Sequence, residues 1–203
     1  MSASLPNVTR YLKQLPQGID SHAHCVVKAS VYRDALDSLG LLAVLSDLPS
    51  EVQDLVEHPP PVSAWVREVH TNTIMIAIRD AHFDVGAAGL REYGEWTRKR
   101  NRALLTRPLY RALFLVLSPQ RLLQGVGRRW GAFRRGTNVV VTDATQHAAA
   151  LEVQFPLHLY EETALAGMRA AMTAALEAAG ARDIEMQLTS AEDRRARYDA
   201  RWR

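Results

Sequence analysis

Residues 183–203 alternate almost strictly between apolar and polar side chains, and this constrains the fold more than any other stretch. Ile184, Met186 and Leu188 interleave with Glu185, Gln187 and Thr189. After "SAEDR", Ala196, Tyr198, Ala200 and Trp202 interleave with Arg195, Arg197, Asp199, Arg201 and Arg203. Coiled into a helix, the segment would scatter Tyr198 and Trp202 among charges. Extended, it sorts every residue onto one of two faces. A period of two on both sides of a short polar turn predicts a hairpin with one apolar face. "TNVVVTD" (137–143) and "AAALEVQF" (148–155) predict another, with Leu151, Val153 and Phe155 on one face and Glu152 and Gln154 on the other.

The rest of the chain reads mainly as helix. Residues 22–29 are the exception: His22, His24, Val26 and Lys28 alternate with Ala23, Cys25, Val27 and Ala29, which predicts a strand whose small residues face the core. Ser30 is placed to cap a helix ending at Gly40. Helix pieces follow at 41–47 and 50–58, with Ser50 and Gln53 as a capping box. A longer helix is expected over 63–81, with Trp65, Val69, Thr73, Met75 and Ile76 buried. Another covers 84–100 with Asp84 as cap. Its Gly86, Gly89 and Gly94 each weaken it by about 1 kcal/mol relative to Ala, unless close packing requires them. Pro108 opens a helix through Leu109, Leu113, Val116 and Leu117. Ser118-Pro119 starts one reaching Gly136, with Leu122, Val126, Trp130 and Phe133 inward and Arg121, Arg128 and Arg135 outward. Residues 160–179 form an Ala-rich helix with Leu165, Met168, Met172 and Leu176 inward, stopped by Gly180.

The order is strand, helical block, hairpin, helix, hairpin. It predicts an α+β fold: an antiparallel sheet of about five strands with helices packed on one side. Residues 1–17 form an N-terminal arm or short helix, and 18–203 a single domain. At 203 residues the chain suits that plan and is short for an eight-stranded α/β barrel of about 250.

Several classes of function are disfavoured. The single cysteine, Cys25, rules out an internal disulfide and any CxxC pair. No apolar run approaches the roughly 18 residues of a membrane helix. The N-terminus lacks an apolar signal core, so a cytoplasmic address is the expectation.

Asp20-x-His22-x-His24 matches the first-strand pattern of metal-dependent hydrolases, since histidines two apart on a strand point the same way. A hydrolase also needs ligands after later parallel strands, whereas His58, His70, His82, His147 and His158 fall on helices, at their ends or in turns. Cys25 has the parity of a small core residue rather than an activated nucleophile. "GVGRRWG" lies in a helical pattern and follows no strand, so it is not a phosphate loop. Glu161 and Glu162 read as first-turn charges favouring a helix N-terminus. Arginine clusters in "RPLYRALF", "RRWGAFRR" and "RRARYDARWR" could grip a nucleic-acid backbone, with Trp130, Tyr198 or Trp202 as stacking platforms. The apolar alternation instead assigns those aromatics to buried faces.

"VVKASVYRDAL" (26–36), the tryptophan of "PVSAWVREV" (61–69), "REYGEWTRKRN" (91–101), "RRWGAFRRGT" (128–137) and the closing "RYDARWR" occur in an order that resembles a family of myxobacterial proteins of unknown function. That family is grouped near four-vinyl-reductase-type and heme-NO-binding-like domains, and the resemblance implies a shared α+β ligand-domain fold in a bacterial protein. Two departures matter. The final hairpin has none of the cysteines of four-vinyl-reductase-type domains. Heme-NO-binding domains use a proximal helix histidine and a Tyr-x-Ser-x-Arg motif for the heme propionates, and this chain has no such motif and no histidine in 119–135.

The expected function is therefore a non-enzymatic ligand-binding, sensory or protein-interaction domain with no metal or other cofactor. Its ligand would be a small apolar molecule in a pocket drawn from Trp65, Phe114, Trp130 and Phe155, and a homo-oligomer or protein partner is expected. The alternatives are a metal-dependent hydrolase using Asp20, His22 and His24, and nucleic-acid binding through the arginines.

Overall fold

Two antiparallel sheets share the strands of the computed structural model, which describes residues 5–106 and 117–203. The helices are α1 (Pro6–Gln14), α2 (Ser30–Ser38), α3 (Ser50–Glu57), α4 (Glu68–His82), α5 (Ala87–Leu105), α6 (Pro119–Gln124), α7 (Val126–Phe133) and α8 (Glu162–Ala178). The strands are β1 (Val26–Lys28), β2 (Trp65–Arg67), β3 (Arg134–Arg135), β4 (Asn138–Ala144), β5 (Ala148–Gln154), β6 (Glu185–Glu192) and β7 (Arg195–Arg201). β2-β1-β3 make the smaller sheet and β4-β5-β7-β6 the larger. The α+β class and both hairpins stand as the sequence implies. The first strand does not join the hairpins, however, but seeds a sheet of its own.

Cross-strand register explains the hairpins. Leu151 pairs with Tyr198 and Val153 with Ala196 on the buried face, while Glu152 pairs with Arg197 and Gln154 with Arg195 on the outer face. Such pairs contribute about 0.2–1 kcal/mol each. Larger still is the burial of Tyr198 and Trp202. Tyr198 donates its hydroxyl to Leu165 O (3.0 Å), fastening the sheet to α8. A bulge between Leu188 and Ser190 bends the edge strand β6.

Local expectations fail where tertiary contacts override helical periodicity. Residues 65–67 leave the expected helix because they zip onto β1, with Lys28 opposite Trp65, so α4 starts at Glu68. Gly125 interrupts the expected 119–135 helix. There the Arg129 guanidinium donates to Leu122 O (2.9 Å), satisfying a carbonyl at the end of α6. Phe133, assigned inward by periodicity, is 45% exposed beyond that break. Ser118 does cap α6, accepting from Arg121 N. Helix α5 starts after Gly86 rather than at an Asp84 cap, and a Cβ on Gly89 would lie 1.7 Å from Asp84 O. Close packing thus accounts for that glycine. The helix expected from Pro108 lies, up to residue 116, outside the described residues. Among the described residues, no helix is long and apolar enough to cross a membrane.

Helix α4 occupies the centre. Every residue from Glu68 to Arg79 is buried, so no face of that stretch meets solvent. α1 packs on it through Val8 and Tyr11.

One glycine holds the small sheet to the larger one's entry. Gly136 has φ +82°, and a Cβ there would stand 2.6 Å from Cys25 Sγ and 2.9 Å from Cys25 Cα. Gly136→Ala combines a left-handed backbone with overpacking and should lower unfolding stability by about 2–4 kcal/mol. Gly131→Ala, in α7 with open space around it, should be neutral or raise stability by up to about 1 kcal/mol. Urea midpoints of the two variants against the parent check the contrast.

Candidate functional site

The Asp20-x-His22-x-His24 run is not a strand. Asp20 ends a 3-10 turn and pairs with Arg67 (2.8 Å), His22 adopts φ +53°, and β1 begins only at Val26. His22 Nε2–H donates to Leu157 O (2.9 Å), so that ring is half-buried against a loop, while His24 is exposed. Ala23, expected in the core, is exposed as well. A left-handed residue in the middle destroys the common face that ligation needs. Among the described residues, no group of three His, Cys, Asp or Glu is placed to hold a metal.

Of the arginine clusters, "RPLYRALF" lies outside the described residues, and the closing one is engaged by neighbouring carboxylates. Arg195, Arg197 and Arg203 pair with Glu192, Asp199 and Asp183. Tyr198 and Trp202 are buried and offer no face for base stacking, while Trp130 is partly buried.

Charge and aromatic rings do meet inside the fold. Arg134, on β3, turns its guanidinium inward to form an ion pair with the fully buried Glu68 at the start of α4. Tyr160 donates its hydroxyl to Glu68 Oε1 (2.6 Å), and Arg134 Nη1 donates to the Tyr160 oxygen (3.3 Å). Trp130 Nε1–H donates to Thr137 Oγ1 (3.0 Å), and the guanidinium lies 5.1 Å from the Trp130 ring. Phe155 stands 4.8 Å from the Tyr160 ring. Burial pushes the Tyr160 phenol up to about 12 against the pull of Arg134, so it donates at neutral pH. Cys25 borders this cluster, its thiol donating to Gly136 O (3.5 Å) and pushed up to about 11 by burial; it is a poor nucleophile.

Of the aromatic residues proposed for a pocket, Trp130 and Phe155 converge here. Trp65 lies elsewhere, on the small sheet between Lys28 (4.0 Å) and Arg135 (4.1 Å), and Phe114 lies outside the described residues. Glu68, Arg134 and Tyr160 escape sequence reasoning because isolated charges at helix and strand ends normally read as solvated. The one available signal is an arginine four residues after Trp130.

Tyr160 also forms the inner wall of a cleft of about 370 Å³. Leu90 of α5, Leu165 and Ala166 of α8 and Leu188 of β6 give it an apolar lining, and Arg169 adds a cation. Its acidic rim is already engaged. Glu161 caps α8 through Thr163 N (2.8 Å) and Ala164 N (3.1 Å), although burial raises its pKa. Glu162 pairs with Arg79 (2.8 Å) and Arg10 (3.0 Å), which together outweigh burial and lower its pKa. His158 sits 3.5 Å from Asp193.

Residues 31–203 match the family described as protein of unknown function (DUF2378), and the chain belongs to that family. No curated protein matches it. The crystal structure of an Fe(II) unliganded H-NOX protein from K. algicida superposes with a TM-score of 0.59 at 9% identity, covering 87% of this chain and 96% of that one. A structure from work on the mechanism of H-NOX activation gives 0.56 at 11% identity, covering 86% and 94%. An oxygen-binding H-NOX domain related to soluble guanylate cyclases, in its oxygen complex, gives 0.54 at 8% identity, covering 86% and 92%. The fold is therefore H-NOX-like, as the resemblance of the sequence motifs implies.

The described residues do not fit the heme that this fold implies. Trp130 and Arg134 keep the aromatic-to-arginine spacing of Tyr-x-Ser-x-Arg, but Glu68 already occupies that guanidinium. Phe155 and Tyr160 fill the space beside it. The cleft lies at the small end of the roughly 300–1,000 Å³ range of ligand sites, and its only histidine, His158, faces Asp193 on an acidic rim.

The buried histidine among the described residues, His70, carries a pH signature. Burial, and secondarily Arg67, lower its pKa, while Glu51, Asp20 and a backbone hydrogen bond at Ile19 oppose this; its Nε2 has no partner. The unfolded chain binds the proton first, so the stability gained from a neutral His70 is full above about pH 6.5 and is lost as pH falls below it. The gap in urea midpoint between pH 7.5 and pH 5 should shrink in His70→Gln relative to the parent.

Proposed function

We propose that this chain is a heme-independent ligand-binding or sensory domain that takes a small, largely apolar molecule between α5, α8 and the edge of β6. One observation carries the reading. Leu188 has the inward parity of its strand and pairs in register with the fully buried Tyr198, yet it stays 37% exposed. A core-facing leucine left uncovered, opposite Leu90, Leu165 and Ala166, is what an apolar pocket requires. The engaged rim carboxylates leave a cationic occupant little to pair with, and the leucine lining favours a largely apolar one. The H-NOX-like fold supports a sensory role by analogy only, since a fold hosts many functions.

Nile red, a neutral apolar dye, tests this. Its fluorescence should rise saturably with the parent protein. Leu188→Glu and Leu90→Glu should each weaken the apparent affinity about tenfold or more, equivalent to about 1.4 kcal/mol, with unchanged far-ultraviolet circular dichroism. An equal dye response from parent and variants places the dye elsewhere and contradicts the reading.

A further inference from the structure

The pairing of Glu68 with Arg134 resembles a bound ligand more than a structural salt bridge. Arg134 is 15% exposed and lies between the rings of Trp130 (5.1 Å) and Tyr160 (5.9 Å). A guanidinium so enclosed requires an anion. A structural Arg–Glu pair commonly uses both carboxylate oxygens in a fork. Here the Arg134 guanidinium and the Tyr160 hydroxyl gather on Glu68 Oε1, whereas Oε2, equally buried, has no hydrogen-bond partner. A buried oxygen left unmatched costs about 1–3 kcal/mol, and the fold tolerates that cost to bring the other oxygen to Arg134. The two donors come from separate elements, Arg134 from β3 and Tyr160 from the approach to α8, while Thr137, in the turn after β3, accepts from Trp130 Nε1 (3.0 Å) and lies 3.5 Å from the Tyr160 oxygen. Glu68 comes from a third, α4.

We propose that Arg134 and Tyr160, backed by Trp130 and Thr137, form a carboxylate-binding socket which the chain fills from within, with Glu68 as its resident ligand. The socket is complete without α4: two donors and an aromatic wall meet at one oxygen position. Glu68 supplies what a small free carboxylate could supply. This inference goes beyond the apolar cleft and stands whether or not that cleft binds anything, although Tyr160 belongs to both. It also accounts for the misfit with heme, because the cation that would meet an external carboxylate is neutralised by an internal one.

Chemical rescue tests the proposal. Glu68→Ala removes the resident carboxylate and opens a cavity against Arg134. In sodium formate or sodium propionate its Tm should rise by about 3–5 °C above the value in sodium chloride of equal ionic strength. The parent should show no difference between these salts. If Glu68→Ala folds too poorly to melt, its refolding yield from urea in propionate against chloride reads the same quantity. Glu68→Gln, which keeps the volume filled, should show no carboxylate-specific gain, and the double variant E68A/R134M should lose the rescue. The proposal is overturned if E68A responds equally to chloride and to carboxylates, or if the rescue survives removal of Arg134.

Discussion

Helix α4 has no solvent-facing side from Glu68 to Arg79, and the rest of the molecule is arranged around that constraint. A helix apolar all round would need only packing, but this one carries Glu68, His70, Asn72 and Arg79 into the interior. Each recruits a different part of the chain. Glu68 draws in Arg134 and Tyr160. Asn72 donates to Tyr11 Oη (3.2 Å) and to Leu159 O (2.9 Å), fixing α1 to the approach of α8. Arg79 reaches Glu162 (2.8 Å) and Thr163 (2.9 Å) at the start of α8. A satisfied hydrogen bond nets only about 1 kcal/mol, whereas stranding one partner of a buried ion pair costs about 3–5 kcal/mol. These contacts therefore select one arrangement of segments more than they deepen its stability.

That arrangement is H-NOX-like, and the same contacts leave the described residues a poor fit for heme. The fold gathers an arginine, a tryptophan and a tyrosine where three elements meet, and α4 answers them with a carboxylate. Outward of Tyr160 a cleft stays open, lined by leucines from two helices and an edge strand. Fold and site thus carry different information: the first is shared with H-NOX domains, and the second belongs to this chain's own residues.

The hairpins and α8 were legible because their side chains face one environment per side, so parity or helical spacing encodes burial directly. Tyr198, Ala196 and Val153 are the clearest cases. Of the small sheet, β1 was legible through the alternation that buries Cys25, Val27 and Ala29, but its partners were not. β2 and β3 are three and two residues long, too short for a period of two to appear, and Trp65–Arg67 extends only because β1 lies beside it. The metal-like histidine run looked ligating on the assumption of strand geometry, and the left-handed backbone at His22 removed that assumption. Of the cluster around Arg134, the sequence offered Phe155, which is buried, and Trp130, which is partly buried. Glu68 and Arg134 were hidden because pairing across 66 residues of chain leaves no local pattern.

With Arg134 already paired to Glu68, the interior of this H-NOX-like fold is a poor fit for heme. Titration of the purified protein with hemin, in ferric and dithionite-reduced states, checks this. The spectra should remain those of free and nonspecifically associated hemin, with no saturable one-to-one complex. A stoichiometric complex with a sharpened, shifted Soret band would contradict it.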